Sequence, residues 1–160
     1  MKEYFSKSKK ETKKIAQDFA QQIIKKKNKK AVIISLEGGL GSGKTTFLQG
    51  FAKEIGVKDR IKSQSFIIMK KYPILNKKGD ITFKFFYHFD VYRIQNPREI
   101  LALGFKDIIK DTRNIVAIEW GDKIKKILPP QTIRLKFKYQ DKNERKIILI
   151  NENNLYYNEI

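Results

Sequence analysis

The 160-residue chain contains no cysteine and a single histidine, His88. Disulfide bonds, thiolate chemistry and cysteine zinc sites are therefore excluded, and one imidazole cannot form a histidine metal cluster. No apolar run approaches the roughly 18 residues that a membrane-spanning helix needs, and the lysine-rich beginning lacks the apolar stretch of a secretory signal. We expect a cytoplasmic protein with no membrane segment and a single domain, residues 1–160, of which about 151–160 form a frayed tail.

Acidic residues are scarce, with 17 Asp and Glu against 35 Lys and Arg, so the formal net charge is +18. Such an excess predicts attraction to polyanions, including RNA. Most of the excess is lysine, which is spread through nearly every segment and accompanies abundant Ile, Asn and Phe, the usage of an AT-rich genome. A selected RNA-facing surface and a genomic bias both remain open as explanations.

The most informative stretch present is Gly38-Gly39-Leu40-Gly41-Ser42-Gly43-Lys44-Thr45-Thr46, which follows the apolar run 31–35. A glycine, four residues and Gly-Lys-Thr between a strand and a helix form the phosphate-binding loop, or P-loop, pattern. Glycines let backbone N–H groups wrap an anion, and the N-terminus of the following helix adds unpaired donors. Lys44 would reach the β/γ-phosphates and Thr45 would ligate Mg²⁺. A glycine-rich turn that binds nothing is the weaker alternative, because both flanks and the Lys-Thr pair fit.

The rest of the chain predicts an α/β protein: a P-loop NTPase-like three-layer fold with a central, mostly parallel sheet, antiparallel hairpin additions and flanking helices. The apolar spacing from Ser8 to about Lys26 predicts an amphipathic helix. A helix after the P-loop should end at Gly56, and another should begin at Asn96-Pro97 and end at Gly104. Further expected elements are strands 63–69 and 81–89 as a hairpin around the turn 76–80, strand 115–118, helix 122–128, and a hairpin of 131–139 and 145–150 at the sheet edge.

Two acids end buried strands, Asp90 after 86–89 and Glu119 after 115–118. Because the carboxyl ends of parallel strands meet at the ligand crevice, both carboxylates are candidates to hold Mg²⁺ or to orient the attacking water. For His88, within the apolar strand, we expect a hydrogen-bonded core role in preference to catalysis. Arg93 could contact phosphate or a partner, or form a surface ion pair. Trp120 is expected to pack beside the site.

Five blocks along the chain, taken together, resemble the TsaE family, small bacterial ATPases required for threonylcarbamoyladenosine (t6A) modification of tRNA. The similarity extends from about Thr12 to Leu128. The blocks are Leu36-x-Gly38-x-Leu40-Gly41-x-Gly43-Lys44-Thr45-Thr46, Ser63-x-Ser65-Phe66, His88-Phe89-Asp90-Val91-Tyr92-Arg93, Glu99 with Leu103-Gly104, and Ile118-Glu119-Trp120.

The resemblance implies a protein that binds ATP and Mg²⁺, hydrolyses ATP slowly alone, and docks onto the complex of the threonylcarbamoyl transferase TsaD with its paralogue TsaB. It leaves direct contact with tRNA undecided. By motif position, Thr46 would bind the α-phosphate, Thr12 would lie close to the adenine, and Asp90 and Glu119 would be the catalytic and metal-linked acids. The implied site residues are Thr12, Gly39, Leu40, Gly41, Ser42, Gly43, Lys44, Thr45 and Thr46 for the nucleotide, Thr45 and Glu119 for the metal, and Lys44, Asp90 and Glu119 for catalysis.

Two departures from the family pattern stand out. Between Ser63 and Ser65 this chain has Gln64, where family members usually have a proline. At Gly39 family members usually have an aspartate. The alternatives to a t6A ATPase are a small P-loop kinase, which usually needs an arginine-bearing lid that this chain does not obviously contain, and an RNA-binding module.

Overall fold

The computed structural model describes residues 1–25, 30–62, 67–75 and 83–150. Residues 26–29, the start of the predicted strand 63–69, the predicted turn 76–80, the first two residues of the predicted strand 81–89 and the tail 151–160 lie outside these residues. The elements are β1 (Lys2–Ser6), α1 (Lys9–Ile24), β2 (Val32–Glu37), α2 (Lys44–Glu54), β3 (Met69–Pro73), β4 (Phe85–Asp90), α3 (Arg98–Ala102), α4 (Phe105–Lys110), β5 (Asn114–Glu119), a 3₁₀ helix (Gly121–Ile127), β6 (Ile133–Tyr139) and β7 (Arg145–Leu149).

The described strands form one seven-stranded sheet in the order β1-β7-β6-β2-β5-β4-β3. Neighbours among the four central strands, β6-β2-β5-β4, run parallel, and the outer pairs β1–β7, β6–β7 and β3–β4 are antiparallel. This arrangement confirms the predicted α/β architecture, a parallel centre with antiparallel additions.

The placement of the C-terminal hairpin at the sheet edge was wrong. Strand β6 pairs with β2 in the parallel centre, and β7 is covered by β1, which occupies that edge. Strand β1 escaped prediction because it is five residues long and mostly exposed, so its sequence shows little apolar alternation. The antiparallel pairing of β3 with β4 is confirmed, but β3 begins at Met69 and β4 at Phe85, which is later than predicted.

Helices cover both faces of the sheet and give the expected three layers. Alternate residues of β2 point to opposite faces, so Ile34 and Leu36 pack under α1 and α2 while Ile33 packs with Phe105 and Ile124 on the other side. The helix ends follow the predicted chemistry. Ser8 caps α1, Gly56 and Gly104 have positive φ, and the Glu99 carboxylate accepts a hydrogen bond from Asn96 N just before α3.

Helix α2 lies against α1 at a glycine, and this contact gives a stability prediction. A Cβ at Gly50 would stand 2.5 Å from the Lys13 carbonyl oxygen and 2.7 Å from its Cα. Gly50→Ala should therefore lower the free energy of unfolding by about 1–3 kcal/mol in a urea titration, because the clash outweighs the gain in helix propensity. As a control, Lys53→Ala on an exposed position of the same helix should change it by less than about 0.5 kcal/mol. A Gly50→Ala protein as stable as wild type would contradict this packing.

Candidate functional site

The loop between β2 and α2 has the backbone of a phosphate-binding loop. Gly38, Gly41 and Gly43 have φ angles of 139°, 69° and 102°, a region that residues with a side chain rarely adopt. The loop leaves β2 after Glu37 and enters α2 at Lys44, so the N-terminus of α2 opens toward the carboxyl edge of the parallel strands.

An ion pair braces the base of this loop. Arg134 on β6 donates from Nε and Nη2 to the two carboxylate oxygens of Glu37 at 2.7 and 3.0 Å, and Ser35 Oγ donates to Oε1 at 3.3 Å. The Glu37 carboxylate raises the pKa of Arg134. No sequence motif predicts this pair, since 97 residues separate its members.

Gly38 and Gly39 differ sharply in the space around them, which allows a matched test. A Cβ at Gly38 would lie 2.4 Å from the Phe137 carbonyl oxygen, whereas a Cβ at Gly39 meets nothing within 4 Å. Gly38→Ala should displace the loop from β6 and weaken ATP binding at least about tenfold in a fluorescence titration, about 1.4 kcal/mol. Gly39→Ala should bind ATP within about twofold of wild type. Equal binding by the two variants would show that the loop does not need this backbone.

Lys44 lies inside the loop and is only 5% exposed. Its Nζ donates to the carbonyl oxygens of Gly38 at 2.7 Å and Gly39 at 2.8 Å, and it stands 4.0 Å from the centre of the Trp120 ring. Burial lowers the pKa of Lys44, and the negative charges of Glu119, Asp90 and Asp122 partly oppose that shift. The ammonium group is therefore held inside the loop by two carbonyl oxygens, where the charges of three carboxylates act on it.

Glu119 connects the loop to the neighbouring strands. Thr45 Oγ1 donates to both Glu119 oxygens, at 3.1 and 3.0 Å, and His88 Nε2 lies 3.0 Å from Oε1. Asp90 is paired with Glu119 in the β4–β5 register, so the two acids end adjacent strands as expected. Asp90 is 8% exposed, and its Oδ1 accepts a hydrogen bond from Tyr92 N.

Trp120 follows Glu119 in a left-handed conformation, with φ of 63°. The backbone N–H of Trp120 donates to the Leu36 carbonyl oxygen at 2.8 Å, and the centre of its ring lies 4.9 Å from that of the Tyr92 ring. These contacts confirm the expected packing beside the site. The strained turn places the indole over Lys44, so its emission should respond to occupation of the loop.

A cleft of about 370 Å³ opens over the loop, within the size range of ligand sites. Of the predicted residues, Gly39 and Asp90 do not line it. Both interact with Lys44 instead: the Gly39 carbonyl oxygen accepts a hydrogen bond from its Nζ, and the negative charge of Asp90 acts on it electrostatically. Predicted residues lining it are Thr12, Leu40, Gly41, Ser42, Gly43, Lys44, Thr45, Thr46 and Glu119. Lining residues that the sequence analysis did not assign to the site are Ser8, Lys9, Lys142, Asn143 and Arg145; Trp120 also lines it.

The far wall of the cleft comes from the start of α1 and from the β6–β7 turn. The Thr12 hydroxyl lies 2.7 Å from Ser6 Oγ, which ties α1 to β1 beside the cleft. Arg145 Nε donates to the Gly41 carbonyl oxygen at 3.2 Å and its guanidinium lies 4.5 Å from the centre of the Tyr139 ring. No sequence motif marked this turn, because its position depends on how β6 and β7 join the sheet.

The residues present fit a magnesium nucleotide. Ser42 Oγ is buried and has no hydrogen-bond partner within the described residues, although it lines the cleft. The Thr45 hydroxyl and the Glu119 carboxylate supply the hard oxygen ligands that Mg²⁺ prefers. No cluster of three or more His, Cys, Asp or Glu that could hold a metal occurs in the described parts of the chain. Mg²⁺ typically takes one or two carboxylates and completes its shell with phosphate and water, so the pair is sufficient.

A strand, a glycine loop and a helix with a buried lysine, at the carboxyl edge of a parallel sheet, define a nucleotide-binding protein of the P-loop class. Comparison with known proteins narrows this class. The model of the family described as "Threonylcarbamoyl adenosine biosynthesis protein TsaE" matches residues 6–147. The chain therefore belongs to the TsaE family.

Individual relatives agree with this assignment. The tRNA threonylcarbamoyladenosine biosynthesis protein TsaE of Haemophilus influenzae is 36% identical over 142 residues, which are 89% of this chain and 84% of that protein. The protein of the same name from Rickettsia prowazekii is 38% identical over 150 residues, 93% of this chain and 94% of that one. The crystal structure of Bacillus subtilis YdiB superposes with a TM-score of 0.63 at 28% identity, covering 91% of this chain and 82% of YdiB.

Within the described residues, none of the helices has the length and apolar character needed to cross a membrane.

Proposed function

We propose that the chain binds ATP with Mg²⁺ in the P-loop cleft and hydrolyses it as an accessory subunit of tRNA t6A biosynthesis. The observation that supports this proposal most is the cluster of Lys44, Thr45 and Glu119: the Thr45 hydroxyl donates to the Glu119 carboxylate, whose negative charge also acts on the Lys44 ammonium group. It brings together one cation for phosphate and two oxygen ligands for a metal at the N-terminus of α2.

Each group has a defined task in this mechanism. The backbone N–H groups of residues 39–43 and the N-terminus of α2 bind the phosphates, with Thr46 beside the α-phosphate. Lys44 exchanges its loop carbonyls for the β/γ-phosphate oxygens and stabilises the charge that develops there. Thr45 and Glu119 would hold Mg²⁺, and the bound ion would neutralise part of the negative charge of the phosphates. Asp90 orients the attacking water, and Thr12, with the start of α1, flanks the adenine.

We further propose that the site is completed by a partner, the complex of TsaD with TsaB. ATPases of this class reach high rates when an arginine stabilises the transition state. Among the described residues that line the cleft, Arg145 is the one arginine, and its guanidinium already donates to the carbonyl oxygens of Gly41, Asp141 and Glu144. Slow turnover by the chain alone follows from this arrangement. tRNA would then act as the substrate of the assembly, with contact to this chain not required.

The test is ATP hydrolysis by the purified chain with Mg²⁺, alone and with the cognate TsaD–TsaB complex. We expect weak turnover that rises at least about tenfold with the partners. Release of no free phosphate, with label from γ-³²P-ATP appearing on an added metabolite, would identify a small P-loop kinase instead. Strong tRNA binding with steep salt dependence and no response to ATP would identify an RNA-binding module.

A further inference from the structure

The one histidine of the chain lies at a place where the fold does not require a polar residue. His88 sits in the middle of β4, 1% exposed, between Tyr87 and Phe89, which are also buried. An apolar side chain would satisfy this position without the cost of desolvating an imidazole. The reason for a histidine must therefore lie in what its ring contacts.

That contact is the carboxylate of Glu119. His88 Nε2 lies 3.0 Å from Oε1, and this acid is itself only 3% exposed. A carboxylate accepts and does not donate, so Nε2 carries the hydrogen of this bond. Nδ1 is buried without a hydrogen-bond partner among the described residues, so the hydrogen bonding of the ring there is directed to Glu119.

Glu119 needs His88 as a second hydrogen-bond donor because its first donor, the Thr45 hydroxyl, is shared between the two carboxylate oxygens. The single hydroxyl hydrogen of Thr45 faces both oxygens, at 3.1 and 3.0 Å, and cannot fix the rotation of the carboxylate by itself. The bond from His88 approaches from the adjacent strand and selects one orientation. Outer partners of this kind hold a ligand ready for its metal, and their removal typically weakens metal affinity 10–100-fold.

We propose that His88 is a positioning residue that orients Glu119 for the Mg²⁺ of the bound nucleotide. This inference rests on the proposed function, since it assigns a role within that site. His88 is not among the residues that line the cleft, so its effect should be confined to the response to Mg²⁺, with nucleotide binding in the absence of the metal unchanged.

Two substitutions separate this role from packing. In His88→Gln the side-chain amide nitrogen stands about as far from Cα as Nε2 and can donate to Glu119. His88→Leu fills a similar volume without a donor. Trp120, the one tryptophan of the chain, lines the cleft, so its emission should respond to ATP binding and serves as the probe. The measurement titrates MgCl₂ at fixed ATP, with a parallel ATP titration in EDTA and a urea unfolding curve for each protein.

We expect wild type and His88→Gln to reach half-response at MgCl₂ concentrations within about threefold of each other, and His88→Leu to need at least about tenfold more. All three should bind ATP equally in EDTA. A wild-type Mg²⁺ response in His88→Leu, or losses in both variants that follow their unfolding free energies, would overturn the proposal. Should His88→Leu not fold, His88→Asn, whose shorter amide cannot reach Glu119, replaces it. Absence of ATP binding by wild type would instead refute the proposed function.

Discussion

Replacing Lys44 by methionine is expected to weaken ATP binding at least about 100-fold, equivalent to about 2.7 kcal/mol. The ammonium group is the cation that lies in the loop, and it already makes hydrogen bonds with the carbonyl oxygens of Gly38 and Gly39. Methionine keeps the length and packing of the side chain against Trp120 but supplies neither charge nor donors. The measurement is an ATP titration with Mg²⁺, followed by Trp120 emission or by calorimetry.

The same substitution should not lower stability. Burial lowers the pKa of Lys44, so the folded protein holds its charged form at a cost. The folded state binds fewer protons than the unfolded chain between that lowered pKa and the ordinary value of 10.5, so wild type gains stability as the pH rises through this window. Lys44→Met lacks this gain. We therefore expect the variant to be at least as stable as wild type at neutral pH, with its advantage shrinking at alkaline pH.

A matched control comes from the other end of the same helix. Lys53 is an exposed residue of the last turn of α2, so Lys53→Met removes the same charge without touching the loop. Its ATP affinity should stay within about twofold of wild type. Similar losses in both variants would mean that ATP responds to the overall positive charge, and would contradict the assignment of Lys44.

The second large effect concerns the two strand-end acids. Asp90→Asn and Glu119→Gln should each reduce ATP turnover at least about 100-fold, because each removes a carboxylate from the cluster around Lys44. The two variants should differ in their need for metal. Asp90→Asn should keep the wild-type Mg²⁺ response, whereas Glu119→Gln loses the charged partner of Thr45 and should need more Mg²⁺. Initial rates across a range of MgCl₂ concentrations separate the two roles.

Asp107→Asn serves as the control for these acids, since Asp107 is exposed in α4, away from the cleft. It should turn over ATP at the wild-type rate. If Asp90→Asn also retained the wild-type rate, the water-orienting role would be wrong for Asp90. An unchanged Mg²⁺ response in Glu119→Gln would likewise remove Glu119 from the metal site.

The parts of the fold that the sequence predicted well are those determined by residues close together in the chain. The glycines and Lys44 specify the loop, and the uninterrupted apolar runs before Asp90 and Glu119 predict buried parallel strands. The parallel order then brings both acids to one edge. His88 was correctly predicted to be a hydrogen-bonded core residue, but its partner is set by the register of β4 and β5.

The parts that were missed depend on contacts distant in the chain. Arg134 and Glu37 meet because β6 inserts beside β2, and Arg145 reaches Gly41 because β7 follows β6 in the sheet. Asp122 influences Lys44 only because the turn at Trp120 folds the 3₁₀ helix back toward the loop. Neither the periodicity of apolar residues nor the spacing of motifs predicts contacts between residues so far apart in the chain. The open space at Gly39 shows that the aspartate typical of the family is not excluded there by the backbone.

The most direct test of the account is multiple-turnover t6A formation on tRNA by the TsaD–TsaB complex with this chain, in the presence of ATP and Mg²⁺. Wild type should sustain repeated rounds of modification. Asp90→Asn, with ATP binding intact, should support no more product than the complex forms without this chain. Sustained modification by Asp90→Asn at the wild-type rate would show that ATP hydrolysis in this cleft is not what the chain contributes.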